Sequence, residues 1–426
     1  EWPVANRVIE LYLQKKSENG GWERQINGIS NNEKAVLLLE KRTFKELLVD
    51  MELRNLQNNI VGQEASRLFA RAEINMGVEA FRDSLYSLLK RNTFLNIKFE
   101  NMLDTLGEIS RTDIRSLLGE WEKTTPLPFY SLGEPTLTKI TNKGGEEFFV
   151  LKMLISNNSD YDGIIHMDIR KDGWWYQPLE DPRAKTKIEM PAHTSKEFVS
   201  VWEDQIRNVE INTMVSGNLP NIISQDINNV KQERNKIVKD SIYILPESSF
   251  DLPGEIIVDN EDSTLFILSA PPIVGLLPKW LDEVEETPFK YSGISWWRPP
   301  LQWTATTNDR YYGKYIRSAF VIKSGDGSQT ATWKVPVPEV GQYDLYYHVF
   351  KDDELRWNNN LQGEYHFKVK YGSEVEDAYV NLRKANEGWE QLGSYYFDSD
   401  TVRVVLTDEC KLRSVTADAV KIVKRY

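Results

Sequence analysis

Hydrophobic positions in the first 125 residues recur with the period of a helix. Leu68, Phe69 and Ala72 are followed by Phe81, Leu85, Leu88 and Leu89. Phe99, Met102, Leu103 and Leu106 repeat the stripe, and Ile114, Leu117, Leu118 and Trp121 repeat it again. This spacing predicts amphipathic helices. Ser110 with Asp113 resembles a capping box, with Asp in place of Glu, and is expected to start the last helix. Pro126 and Pro128 stop it. Short helices joined by short loops predict a packed helical layer over residues 1–126. Glu33 and Glu40 in "NNEKAVLLLE" read as parts of a solvated helix face.

Beyond residue 126 the period shortens. "FFVLKMLISN" and "GIIHMDIR" alternate or run apolar over strand lengths. "KIEMPAHTSKEFVSVW" predicts two strands around a Pro-Ala-His-Thr turn, and "NVEINTMVSGNLPN" a strand ending in a Gly-Asn-Leu-Pro turn. Strands at this spacing predict an Ig-like β-sandwich over 127–245. The polar run "QDINNVKQERNKIVKD" (residues 225–240) is expected to be a linker with a short helix.

Residues 250–426 predict a second all-β domain. "EIIVDNEDSTLFIL" reads as its first strand pair. "ATWKVPVPEVGQYDLYYHVF", "EYHFKVKYG", "GWEQLGSYYF", "DTVRVVLTDE" and "SVTADAVKIVK" read as later strands. Tyr343, Leu345, Tyr347 and Val349 alternate with polar neighbours, the mark of a half-buried strand. The expected fold class is multidomain: a helical layer, an Ig-like β-sandwich, then a jelly-roll or galactose-binding-like β-sandwich.

Composition narrows the partners. The chain has 426 residues and a net charge of −12. That charge argues against nucleic acid and against an anionic lipid surface. The apolar run at residues 265–281 holds three prolines and is too short to span a bilayer; it reads as a buried strand and a rigid connector. Glu1, which is not a Met, is expected to be a processed or artificial end. One cysteine, Cys410, excludes an intrachain disulfide and bounds the compartment weakly.

Motifs for chemistry are absent. His166, His193, His348 and His366 show no zinc-helix spacing, and there is no Gly-x-Ser-x-Gly elbow and no phosphate loop. The expected catalytic and metal-ligating sets are therefore empty. Cys410 reads as a structural thiol. Asp259, Asn260, Glu261 and Asp262 are dense enough in oxygen for calcium, but an Asx-rich turn explains them better; "KDDE" (residues 351–354) reads the same way. Thirteen Trp and nineteen Tyr are an excess. Trp296, Trp297, Trp303, Tyr311 and Tyr312 fall in a loop-like stretch and Trp357 follows a charged loop, where an aromatic face can stack on a sugar; of these, Trp296, Trp297, Trp303, Tyr311 and Trp357 are the stronger candidates. They form the candidate binding set.

Two resemblances follow. Gly77, Glu79, Phe81, Phe99, Leu103, Asp113, Ile114, Trp121, Leu127 and Pro128 resemble the C-terminal side of aminopeptidase N-like zinc metallopeptidases (gluzincins), in which an Ig-like sandwich follows the Leu-Pro. The zinc helix, its downstream glutamate ligand and the substrate-amine motif would lie upstream of Gly77. None is recognisable in residues 1–76, so no catalytic residue is carried over; zinc is implied only for a full-length parent. The second resemblance is to the golvesin C-terminal-like, xanthan-lyase-type module of bacterial surface and secreted proteins. Its residues are Tyr312-Gly313, Ala331-Thr332-Trp333, Pro338, Gly341, Tyr343, Gly388-Trp389, Leu392-Gly393, Phe397 and Ala417-Asp418-Ala419-Val420. It implies packing roles for Trp389 and Phe397 and an association with polysaccharide.

The resulting expectation is a non-catalytic, extracytoplasmic C-terminal region of a bacterial metallopeptidase-like protein. Its partners would be an upstream catalytic domain and, through the terminal module, a polysaccharide or cell-envelope surface. The alternatives are a purely structural, protein-interacting assembly and part of an active zinc aminopeptidase.

Overall fold

The computed structural model describes residues 9, 21–93, 98–111, 113, 122–171, 177–234, 238–246, 254–269, 289–295, 298–351 and 363–425. The chain forms two compact units. One comprises Glu1–Asn19 and Asn31–Phe250, the other Gly20–Ser30 and Asp251–Tyr426. Helix α1 (Gly21–Asn27) therefore belongs with the C-terminal sandwich rather than with the helices that follow it. Its end is fixed there by Thr307, whose hydroxyl donates to the Gly28 carbonyl.

The helical layer of the first unit contains α2 (Asn31–Lys41), α3 (Phe44–Val49), α4 (Gln57–Met76), α5 (Val78–Arg91) and α6 (Phe99–Ser110). The positions picked out by periodicity are the ones it buries. Leu68, Phe69, Ala72, Phe81, Leu85, Met102, Leu103 and Leu106 share one core cluster. Gly77 separates α4 from α5 at φ 84°, a left-handed angle that a side chain resists. Its N–H donates to the Glu73 carbonyl at 2.7 Å, and its own carbonyl accepts from Phe81 at 3.0 Å. The capping box sits at Thr43 and Glu46, on α3. Ser110 does not start a helix. It is the last residue of α6, and its hydroxyl donates to the Leu106 carbonyl at 2.6 Å. The helix expected over Ile114–Trp121 lies outside the described residues.

The sandwich of this unit is built from β1 (Tyr130–Leu132), β2 (Thr136–Thr141), β3 (Glu147–Asn157), β4 (Gly163–Lys171), β5 (Gln177–Pro178), β6 (Lys185–Met190), β7 (Thr194–Trp202), β8 (Ile206–Asn212), β9 (Ile222–Asp226), β10 (Val230–Arg234) and β11 (Ser241–Pro246). The larger sheet runs β10-β2-β3-β7-β11, with β1 on β3; the smaller runs β5-β4-β8-β9, with β6 on β4. Leu151, Met153 and Ile155 from one face Ile165, Met167 and Ile169 from the other across a shared core. The 225–240 stretch is not a helical linker. Its β10 pairs in parallel with β2, Val230 opposite Leu137. An edge strand held by main-chain bonds needs little apolar side chain, so its polar sequence hid it.

Helices and sandwich of this unit are joined by polar contacts, buried at Glu33 and Glu73 and exposed at Arg71. Glu33 is not solvated. It is 1 % exposed and accepts from the Asn221 N–H at 2.8 Å, whereas Glu40 is exposed as expected. Glu73 of α4 pairs with Lys187 of β6, and Arg71 with Glu189 at 3.2 Å.

The second unit holds β12 (Glu255–Asp259), β13 (Phe266–Leu268), β14 (Thr304–Thr307), β15 (Ser318–Lys323), β16 (Thr330–Pro336), β17 (Gly341–Val349), β18 (Glu364–Tyr371), β19 (Glu374–Asn381), β20 (Gly388–Phe397), β21 (Thr401–Thr407), β22 (Ser414–Ala417) and β23 (Ala419–Lys424). Sheets β12-β23-β17-β20 and β13-β16-β21-β18-β19 enclose the core, with β14-β15-β22 as a third small sheet. β12 and β13 do not pair with each other as expected. β12 lies on β23 and β13 on β16, because the Asx-rich turn between them sends the chain from one sheet to the next. Tyr343, Leu345, Tyr347 and Val349 are all buried. Strand outweighs helix in the chain as a whole, so the coarse expectation of β-sandwich sheets with a small helical part holds.

Candidate functional site

Alternation along β17 sends Tyr343, Leu345 and Tyr347 inward, so Asp344, Tyr346 and His348 occupy the outer face of the sheet. Register then decides what stands beside them. Trp389 of β20 lies opposite His348, and Gln391 opposite Tyr346. Lys421 of β23 is the other neighbour of Tyr346. The result is an aromatic outer face, half-buried at Tyr346 and Trp389, largely covered at His348 and open at Gln391, Ser394 and Tyr396.

A loop aromatic completes it. The Tyr312 ring centroid lies 5.0 Å from that of Trp389 and 5.7 Å from that of His348, and the last two are 5.2 Å apart. Tilted and edge contacts of this kind suit the ring quadrupoles. The Lys421 ammonium sits 4.9 Å from the Trp389 ring centre and 5.3 Å from that of Tyr346, while its charge is paired with Glu255 at 2.9 Å. Beside these rings, Asp344 accepts from Gln391 at 3.0 Å and from Arg425 at 2.8 Å. The Arg425 bond holds the Asp344 carboxyl below its ordinary range.

Two members of this face, His348 and Tyr312, are held from beneath by Asp418, which is fully buried. Its carboxylate pairs with His348 Nδ1 at 2.8 Å and accepts the Tyr312 N–H at 3.2 Å. Its carbonyl accepts from the Trp333 indole at 3.2 Å. Burial pushes the Asp418 carboxyl up, and the charge of His348 and the bonds from His348 and Tyr312 oppose that. Gly313, next to Tyr312, has φ 153°, and a Cβ there would come within 1.9 Å of the Ile316 carbonyl oxygen, so the loop needs a glycine. The residues spaced far apart in the sequence motif, Tyr312, Trp333, Trp389 and Asp418, thus converge on one constellation.

The residues predicted from sequence fare differently. Trp296, Trp297 and Trp357 lie outside the described residues. Trp303 is half-buried against the core, with its indole nitrogen buried and without a hydrogen-bond partner. Tyr311 is buried at 6 %, its ring against Phe350 at 4.6 Å. Phe397 is a core residue, as expected, and Tyr395 packs in the same core. Trp389 is not: it stands on the outer face, opposite His348. The missed residues, Tyr346, His348 and Lys421, had a signal in the sequence. They are the out-facing positions of strands whose in-facing positions were already identified.

Other candidates resolve into structure. Asp259 and Asp262 close a turn on each other, Asp259 N–H to the Asp262 carboxylate at 2.9 Å and Asp262 N–H to the Asp259 carbonyl at 3.1 Å. Glu261 is taken by Lys290 at 2.6 Å and by the Tyr291 hydroxyl at 3.1 Å. Among the described residues no group of three or more His, Cys, Asp or Glu is arranged to hold a metal ion. Cys410 is half-buried, and burial pushes its thiol up, away from the reactive thiolate. In the same set of residues no helix is long and apolar enough to cross a membrane.

Fold and face together define an aromatic-faced β-sandwich module. Residues 299–424 match the family model of the Golvesin C-terminal domain, so the golvesin-like expectation holds for this part of the chain. Solved structures give weak likenesses. A β-glucuronidase of Bacteroides uniformis is 13% identical over 75% of this chain and 32% of its own, with a TM-score of 0.21. Murine APRIL is 12% identical over 25% of this chain and 85% of its own, with a TM-score of 0.15. The chain thus spans about a third of the glucuronidase, and at such TM-scores neither likeness assigns a fold. No curated protein matches the chain. Nothing in these matches supports an aminopeptidase N-like part.

Proposed function

We propose that the second unit is a non-catalytic glycan-binding module, and that the outer face of β17, β20 and β23 receives the ligand. One observation carries this reading: Tyr312, Tyr346 and Trp389 form a half-buried aromatic face around His348, which is 13 % exposed and hydrogen-bonded to a fully buried carboxylate. Rings held this firmly lose little freedom when a sugar stacks on them. Asp344, Gln391 and Ser394 stand beside them as partners for hydroxyls. Within this reading the first sandwich is Ig-like, the second is of jelly-roll or galactose-binding-like type, and the protein works outside the cytoplasm at a bacterial envelope. A metallopeptidase parent has no support from the comparisons.

Affinity electrophoresis of the full chain through gels containing different polysaccharides tests the proposal. At least one polysaccharide should retard it. Trp389→Ala with Tyr346→Ala should weaken that retention about tenfold, as loss of a central aromatic contact does, with the melting temperature nearly held. Retention that survives this pair but is lost in Trp303→Ala would move the ligand to the loop aromatics. No retention by any polysaccharide would leave the structural, protein-interacting alternative.

A further inference from the structure

The first unit contains a cavity of about 410 Å³ bounded by α4, the Pro-rich entry to β1, the β3–β4 turn and the loop after β8. Small-molecule sites typically measure about 300–1,000 Å³. Its walls are pinned by main-chain bonds. The Thr125 N–H donates to the Leu39 carbonyl at 2.8 Å, and the Gly217 N–H to the Pro128 carbonyl at 2.9 Å. Met214, at φ 53°, is held by the Asn212 side chain at 2.7 Å.

Its charge is unlike that of the chain. Arg67, Arg71 and Lys123 line it against a single lining carboxylate, Asp162, in a protein of net charge −12. The carboxylates that orient the two arginines, Glu64 at 2.9 Å and Glu189 at 3.2 Å, are not among the lining residues. Lys123 has no carboxylate partner among the described residues. Tyr161 adds a half-exposed ring, and Asp162, held by the Ala192 N–H at 2.9 Å, adds an acceptor for hydroxyls. Paired arginines one helical turn apart bind an oxyanion through charge-assisted hydrogen bonds.

We propose that this cavity binds a small anionic sugar through Arg67, Arg71 and Lys123, with Tyr161 against the ring. The shared chemistry is an oxyanion on a hydroxylated ring, from either a uronic acid or a sugar phosphate. The site lies in the other unit from the aromatic face, so either can fail without the other.

The test is calorimetric titration of the full chain with glucuronate, glucose 6-phosphate and glucose. Saturable binding of an anionic sugar, absent for glucose and weakened by salt, is the expected result. Preference for glucuronate assigns a carboxylate ligand, and preference for glucose 6-phosphate a phosphate. Lys123→Ala and Arg71→Gln should each weaken binding roughly tenfold. If Arg71→Gln also lowers the melting temperature through its loss of Glu189, Lys123→Ala decides alone. Binding of neither anion, equal binding of glucose, or affinity unchanged in Lys123→Ala would overturn the proposal.

Discussion

The two sandwiches treat an outer sheet face in opposite ways. On the first, His166, Lys187 and Glu189 of β4 and β6 meet helix α4, and charges are matched there: Lys187 with Glu73, Glu189 with Arg71. On the second, Tyr346, His348 and Trp389 hold the corresponding outward positions of β17 and β20, with no helix shown packed on them among the described residues. Both faces contain a strand histidine, and its neighbours separate the two. Lys187 stands beside His166, whereas the Asp418 carboxylate holds His348 from beneath. A charged face that will be covered needs partners for every charge. An aromatic face that stays open needs rigid support and exposed polar neighbours. The two faces differ in what stands on and beneath them rather than in architecture.

Removing that support should have the largest effect. Asp418→Ala leaves the buried Tyr312 N–H and His348 without their acceptor. The expected cost is about 3 kcal/mol, in the range for buried groups stripped of a charged partner. Urea unfolding followed by tryptophan fluorescence measures it, and an unchanged midpoint would show that the carboxylate does not organise the face. On the covered face, Glu73→Ala should cost about 2–3 kcal/mol, because it strands Lys187 at 16 % exposure. The joint change Glu73→Leu with Lys187→Met should recover most of that loss, since burial of a matched apolar pair replaces two desolvated charges. A double change as damaging as the single one would mean that the pair does more than satisfy itself.

What the sequence revealed follows the same division. In-facing positions were legible throughout. The helical stripe at Leu68, Phe81 and Met102 and the alternation at Tyr343, Leu345 and Tyr347 are core residues because burial imposes the period. Contacts set by main chain or by register were not legible. The polar edge strand β10 is stabilised by pairing with β2, and Glu33 is buried because the Asn221 N–H needs an acceptor. The candidate site was half legible. The motif through Tyr312, Trp333, Trp389 and Asp418 was visible as a spacing, and its constellation matches in space. The sequence points to loop aromatics rather than to the proposed strand face, because an aromatic in a strand is more often core. Which side of the strand Trp389 occupies depends on its register against His348, and that is a property of the pairing.

The histidine pair yields the subtlest test of the contrast. Burial, and then the nearby charge of Lys187, push His166 down to about 4, although Asp168 and Glu73 pull the other way. In the unfolded chain the ring titrates near 6.5. Above that pH both states hold a neutral ring and the site does not discriminate. As pH falls from about 6.5 toward 4, the unfolded state takes up a proton that the folded state refuses. Stability contributed by the neutral ring is thus lost across that window, by on the order of 2–3 kcal/mol, and levels off once the folded ring also protonates. His166→Gln removes the proton site and should flatten this part of the stability profile of the first unit, measured by urea unfolding at pH 7, 5.5 and 4.5. A profile as steep in the variant as in the parent would assign the acid sensitivity to the carboxylates around Lys187 instead.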